Sequence, residues 1–267
     1  MHPSVYELKQ FYDSPLGRTV KRVLGQRIRT LWPNLKGQRV LGIGYAMPYL
    51  EGWLQTSERV IAAMPASMGA RHWPSQHSHM QDFGHAVTGK KFGNLTMVVD
   101  DYALPIEPSS VDRIILIHNF EFAQHPEEYL EEVRRVLKAN GRLLVIVPNR
   151  TGLWARGESS PFGHGHPYSV SQICRVLEDA KFIHERRAEA LFMPPVEKGW
   201  ILKSAPLYEY LGRTYLPMVA GVHMIEVSKQ LYARAGKGGG TPVLAKGRRF
   251  LAGATAPPKP VPSGFKG

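Results

Sequence analysis

A chain of 267 residues, 43% hydrophobic and 21% charged, holds enough apolar material for one sizeable core, which excludes fibrous and wholly disordered classes. The net charge of +12 sits at the two ends, since residues 14–50 and 236–267 carry many lysines and arginines and no acid while the middle is near neutral. A lone Cys174 excludes an internal disulfide or thiolate metal cage and points to a reducing cytoplasm, and no apolar run approaches a membrane span or the pattern of a secretory signal.

In chain order, Ser4 and Glu7 have capping-box spacing, and Ser14 before Pro15 opens a second helix. In that second helix Leu16, Val20, Val23, Leu24, Ile28 and Leu31 form the buried stripe, leaving Arg18, Lys21, Arg22 and Arg29 on the other side. This reads as a solvated basic face, with a phosphate- or partner-binding face as the alternative, on a helical cover formed by residues 1–36.

From Arg39 short apolar runs alternate with helix-length stretches, the pattern of an α/β domain with a mostly parallel sheet and helices on both faces. Strands are predicted near 39–44, 59–63, 95–99, 112–117 and 142–147, with helices near 47–56, 126–138 and 170–180. The helix from Pro126 has acids in its first turn, a buried stripe of Leu130, Val133 and Leu137, and basic residues in its last turns, and Asn140-Gly141 is expected to stop it. Two further strands near 183–192 and 222–232 bring the sheet to seven and flank a helical insertion at 194–220. The domain closes near residue 235, and the Gly-, Pro- and Lys-rich stretch 236–267 is expected to be a disordered basic tail.

Several segments carry candidate chemistry. Val40 to Pro48 runs from a strand through a glycine turn into a helix, where small residues let backbone approach a ligand. His77-x-His79, with His72 and His85 near, and His164-x-His166 have metal-ligand spacing but no third carboxylate ligand, so no metal is expected. His164, His166 and Tyr168 also lie in the loop after the fifth strand, at the edge where such sheets hold ligands. Trp154, between Arg150 and Arg156, is either a stacking platform for an acceptor or a packing anchor.

Three segments taken together resemble the class I S-adenosylmethionine-dependent methyltransferases, in particular the small-molecule group called type 11. They are Asp100-Asp101-Tyr102-Ala103-Leu104-Pro105, Ser110-Val111-Asp112 opening the fourth strand, and Glu131 to Leu143 leading into the fifth. The resemblance covers roughly residues 39–149 and implies a Rossmann-like methyltransferase fold, S-adenosyl-L-methionine as cofactor and methyl transfer to a small or medium-sized acceptor. It further implies that Asp100 and Asp101 meet adenine, that Gly42, Gly44 and Ala46 border the methionine and ribose, and that His118 lies beside the cofactor facing the acceptor. His118, His166 and Tyr168 are the catalytic candidates. This chain departs from the pattern in having Gly42 in place of an acid, Ala46 and Pro48 in place of glycines, and Ala63-Met64 where a ribose-binding acid is expected. Two other readings stay open on these observations: a methyltransferase-shaped protein that only binds or regulates, and a nucleic-acid methyltransferase using the basic ends.

Overall fold

Seven strands in the order β3-β2-β1-β4-β5-β7-β6 make one sheet in the computed structural model, which describes residues 2–74, 92–157 and 160–229. The strands are β1 (Arg39–Gly44), β2 (Arg59–Pro65), β3 (Thr96–Val99), β4 (Val111–Ile117), β5 (Leu137–Pro148), β6 (Phe182–Ala190) and β7 (Val222–Lys229). The first five run parallel, and β7 is antiparallel to both β5 and β6. Chain order reverses between β1 and β4, so loops leaving the carboxyl ends of these strands diverge and open a crevice there. The predicted α/β architecture is the observed one. His77, His79, His85 and the tail from 236 lie outside the described residues.

Helices cover both faces. On one face α1 (Val5–Asp13), α2 (Pro15–Leu31) and α3 (Met47–Leu50) bury Leu8, Tyr12, Val20, Leu24 and Leu50 with Ile115, Ile117, Leu144 and Ile146 of the sheet. On the other, α4 (Pro126–Val136) and α5 (Val170–Asp179) bury Leu130, Val133, Ile173 and Leu177 with Leu41, Ile114, Leu116 and Leu143. The local punctuation is as the sequence implied: Ser4 with Glu7 and Ser169 with Gln172 form reciprocal capping boxes, and Ser14 caps α2 ahead of Pro15. Between β6 and β7 lie α6 (Gly199–Lys203), α7 (Ala205–Tyr215) and a 3-10 turn, Pro217–Val219.

Two boundaries differ from expectation. The helix from Pro126 ends at Val136, and Leu137 already has extended backbone and pairs with Val111. Leu137 is fully buried by this change of conformation, so its apolar side chain serves the sheet rather than the helix stripe. Gly141 therefore stops no helix: a Cβ there would lie 2.6 Å from Leu137 Cδ1 and 3.0 Å from Lys138 O, so glycine permits the close passage of the strand's own start. The second difference is α3, which spans four residues before a 3-10 turn at Glu51–Trp53, where Gly52 weakens any longer helix.

Candidate functional site

The carboxyl edge of β1 is built around two glycines. Gly44 has φ +82°, and a Cβ on it would overlap Ile117 O of β4 and lie 2.9 Å from Asn119 Cβ, so the turn out of β1 admits only glycine. Gly42 is required for packing: a Cβ there would be 2.5 Å from Ala46 Cβ and 2.7 Å from Leu50 Cδ1, on the underside of the turn into α3. An acid in place of Gly42 has no room in this packing. Tyr45, the next residue after Gly44, donates its backbone N–H to Ile117 O at 3.0 Å, tying the ends of β1 and β4 together.

Beside this turn sits a buried polar cluster that the sequence reading saw only in part. His118 follows β4 with φ 55° and no exposed surface, and its Nε2 lies 2.8 Å from the Tyr12 hydroxyl of α1. Tyr12 also shares a 2.8 Å hydrogen bond with the Tyr49 hydroxyl, and its ring stacks on Tyr45 at 5.4 Å. The Phe162 ring closes the other side of His118 at 4.6 Å. His118 Nδ1 faces Glu121 Oε1 at 3.9 Å, and neither atom has a hydrogen-bond partner among the described residues. Removal from water pushes the His118 imidazole down to about 3 and the Glu121 carboxyl up to about 8, so both are neutral near pH 7.

The second half of the site joins the ends of β3 and β4, although β2 and β1 separate these strands in the sheet. Asp101 is half-buried and accepts a 3.0 Å hydrogen bond from Asn119 Nδ2, which also lies 2.8 Å from the Tyr129 hydroxyl. Burial raises the Asp101 carboxyl above its ordinary range despite that bond. Asp100 is exposed, and its Oδ1 accepts from Tyr102 N at 2.9 Å, the geometry of an Asx turn. His2 completes the group from the N-terminus: its Nε2 is 3.2 Å from Asn119 Oδ1 and its ring lies 4.3 Å from that of Phe122. With Val5 N donating to Met68 O after β2, the segment before α1 crosses the carboxyl edge of the sheet.

The other candidates lie on the loop after β5. His166 is exposed and contributes only its backbone N–H, to Glu121 O at 2.8 Å, while His164 is half-buried. Tyr168 stacks on Phe120 at 5.6 Å, and Phe120 belongs to the core on the α4 and α5 side, whereas Tyr12 and Phe162 belong to the opposite core. His118 and Tyr168 nonetheless both border Glu121, which faces His118 and whose charge, after burial, adds to raising the Tyr168 hydroxyl. Trp154 is a packing anchor: it is buried, and its indole N–H donates to Met193 O at 2.7 Å. Among the described residues no group of three His, Cys, Asp or Glu is arranged to hold a metal ion. Clefts of about 290 and 460 Å³ open at the amino edge of the sheet, lined by Trp32, Arg113 and Arg186 and by Arg39, Arg59 and Met97 respectively, at the far end of the strands from this cluster.

Sequence and structure comparisons bear on this arrangement. A family profile described as a methyltransferase domain matches residues 68–145. Over that stretch the chain is similar to a methyltransferase domain. The enzyme class and cofactor that the resemblance implied are those printed for solved structures of similar fold, which are described as S-adenosylmethionine-dependent methyltransferases. The chain is similar in fold to a S-adenosylmethionine-dependent methyltransferase from Thermotoga maritima, described as a possible histamine N-methyltransferase, at 17% identity and a TM-score of 0.55 over 85% of this chain and 96% of that one. A second similar fold is a S-adenosylmethionine-dependent methyltransferase from Archaeoglobus fulgidus, at 18% identity and a TM-score of 0.53 over 85% of this chain and all of that one. A third is the geranyl diphosphate C-methyltransferase of Streptomyces coelicolor, solved with S-adenosyl-L-homocysteine, at 13% identity and a TM-score of 0.51 over 78% of this chain and 77% of that one. No curated protein matches the chain.

At the end that the resemblance assigns to adenine, Asp100 presents an exposed carboxylate beside the half-buried Asp101, a chemistry that suits an adenine amine. The ribose end is different. Met64 at the end of β2 is fully buried and apolar, and Gly42 has no side chain, so neither position supplies the charged partner found in the family pattern. Tyr12, Tyr49, Asn119, Glu121 and His2 were not legible as site residues. Tyr12 takes an ordinary core position on α1 after Val5 and Leu8, and the only signal for Glu121 was an acid standing between two phenylalanines.

Proposed function

We propose that the protein methylates a small or medium-sized acceptor in the cytoplasm, at the carboxyl edge of β1 and β4 under the cover formed by residues 2–13. The observation that carries this reading is the glycine turn at Gly44 joined to the Asp100–Asp101 acids by the buried bridge through Asn119. Asp100 would accept from the adenine amine, Asp101 would offer backbone to the ring edge, and Gly44 and Ala46 would leave room for the methionine part. When bound, the cofactor supplies a methyl group already activated by the sulfonium charge, so the protein's task is to align the acceptor and exclude water.

His118 is the candidate kept for the acceptor. Held neutral and hydrogen-bonded to Tyr12, its imidazole orients an acceptor hydroxyl or amine better than it stores a proton. His166 and Tyr168 are not assigned a part in the chemistry. The absent ribose acid implies an affinity about ten- to a hundredfold below that of a protein retaining it. Calorimetry with S-adenosyl-L-homocysteine tests the reading: binding that Asp100→Ala weakens supports it, and undetectable binding to the native protein refutes it.

A further inference from the structure

Among the described residues fourteen large apolar side chains are exposed, and nine of them lie between Val196 and Val219. The concentration follows from how α7 is seated. Gly212 faces the body of the protein, where a Cβ would lie 2.5 Å from Phe192 Cβ, and Ala205 is buried on the same side. Small residues thus make the contact, while Leu207, Tyr210, Leu211 and Tyr215, spaced three, four and eight residues from the first, are exposed on the opposite side. A helix on a globular protein ordinarily turns such a stripe inward. Trp200 of α6 and Met218 of the following turn extend the patch, at 64% and 76% exposure.

Charge decides what fits this face. Lys198, Lys203 and Arg213 are exposed within it, and α2, which packs against both α6 and α7, carries Arg18, Arg22, Arg27 and Arg29 with no acid, its Lys21 being paired with Glu51; Glu197 is the exposed acid of the segment. Of the two acids in the segment, Glu209 is turned inward to accept from Phe192 N at 2.7 Å. Aromatic and aliphatic side chains ringed by cations are the composition of a surface that sinks into the headgroup layer of an anionic membrane.

We propose that the α6–α7 face docks the protein on an anionic phospholipid bilayer, with Trp200, Leu207, Tyr215 and Met218 entering the interface. Asn149 Nδ2 and Thr151 Oγ1 both donate to Met218 O, which fixes the patch to the loop after β5, at the carboxyl edge of the sheet. Docking therefore brings that edge toward the membrane. The proposal is independent of the methyl-transfer reading.

The test uses the full chain and vesicles of phosphatidylcholine, alone or with about a third phosphatidylglycerol. Trp200 is the only exposed tryptophan of the five, the others being 6% exposed or less, so it reports insertion directly. Expected are sedimentation with the anionic vesicles, a blue shift and quenching by brominated lipid that Trp200→Phe abolishes, and a loss of about tenfold or more in partitioning for Leu207→Lys and for Met218→Lys with unchanged thermal melts. Absence of binding to anionic vesicles, equal binding to uncharged ones, or binding that both lysine variants leave intact overturns the proposal. So does a native dimer that Leu207→Lys splits while vesicles are ignored, which would make the face a contact between copies.

Discussion

Replacing Glu121 with glutamine should remove the fall in stability that the native protein shows between pH 6.5 and 8. The Glu121 side chain is fully buried, its Oε2 accepts from Asn119 N at 3.1 Å, and its Oε1 faces His118 Nδ1 at 3.9 Å. Its carboxyl is pushed up to about 8, so in this window the folded state holds a proton that the unfolded chain has released. A raised acid stabilises fully below its unfolded pKa, and that contribution is lost as pH rises through the folded value. At about 1.4 kcal/mol per pH unit, the native protein loses about 2 kcal/mol between pH 6.5 and 8. Below pH 6.5 the sign reverses. His118 and His223, pushed down by burial to about 3 and about 4, refuse protons that the unfolded chain accepts, and together they outweigh Glu121, placing maximum stability near pH 6.5. Glutamine keeps the hydrogen bond from Asn119 N and places a donor opposite His118 Nδ1 without titrating. Urea denaturation of native protein and Glu121→Gln across pH 5 to 8.5 measures the difference. A native curve flat above pH 6.5, or a variant that keeps the slope, refutes the buried neutral carboxyl.

The same cluster and the turn beside it yield two further expectations. Tyr12→Phe leaves the Tyr49 hydroxyl and His118 Nε2 without their shared partner and should cost about 1–3 kcal/mol by chemical denaturation; a change under 0.5 kcal/mol would mean that the bridge contributes nothing to stability. Gly44→Ala forces a side chain into a left-handed backbone against Ile117 O, and is expected to cost about 2 kcal/mol or more and to lower the melting temperature by several degrees. A variant that melts with the native protein would show that the turn can relax.

How much of this was legible follows from the range of the interactions involved. Helix caps such as Ser4–Glu7 and Ser169–Gln172, strand periodicity and the placing of Asp100 at the end of β3 are set by residues within a few positions of one another, and these could be read directly. A mostly parallel sheet of seven strands followed from the alternating pattern and the family resemblance, whereas the order of the strands is seen only in the structure. Local reading failed where a residue had two uses: Leu137 continues the apolar stripe of α4, yet pairing with Val111 across 26 positions buries it in the sheet. The site shows the same limit. His118 was visible as a histidine at a strand end, but its neutrality comes from burial, and the groups that enclose it include Tyr12, 106 positions away, and the Phe162 ring. Asp101, Asn119 and His2 meet only because loops from three parts of the chain converge. Hydrogen bonds, burial and the proton affinities they set depend on distances through space, and those distances exist only once the core has closed.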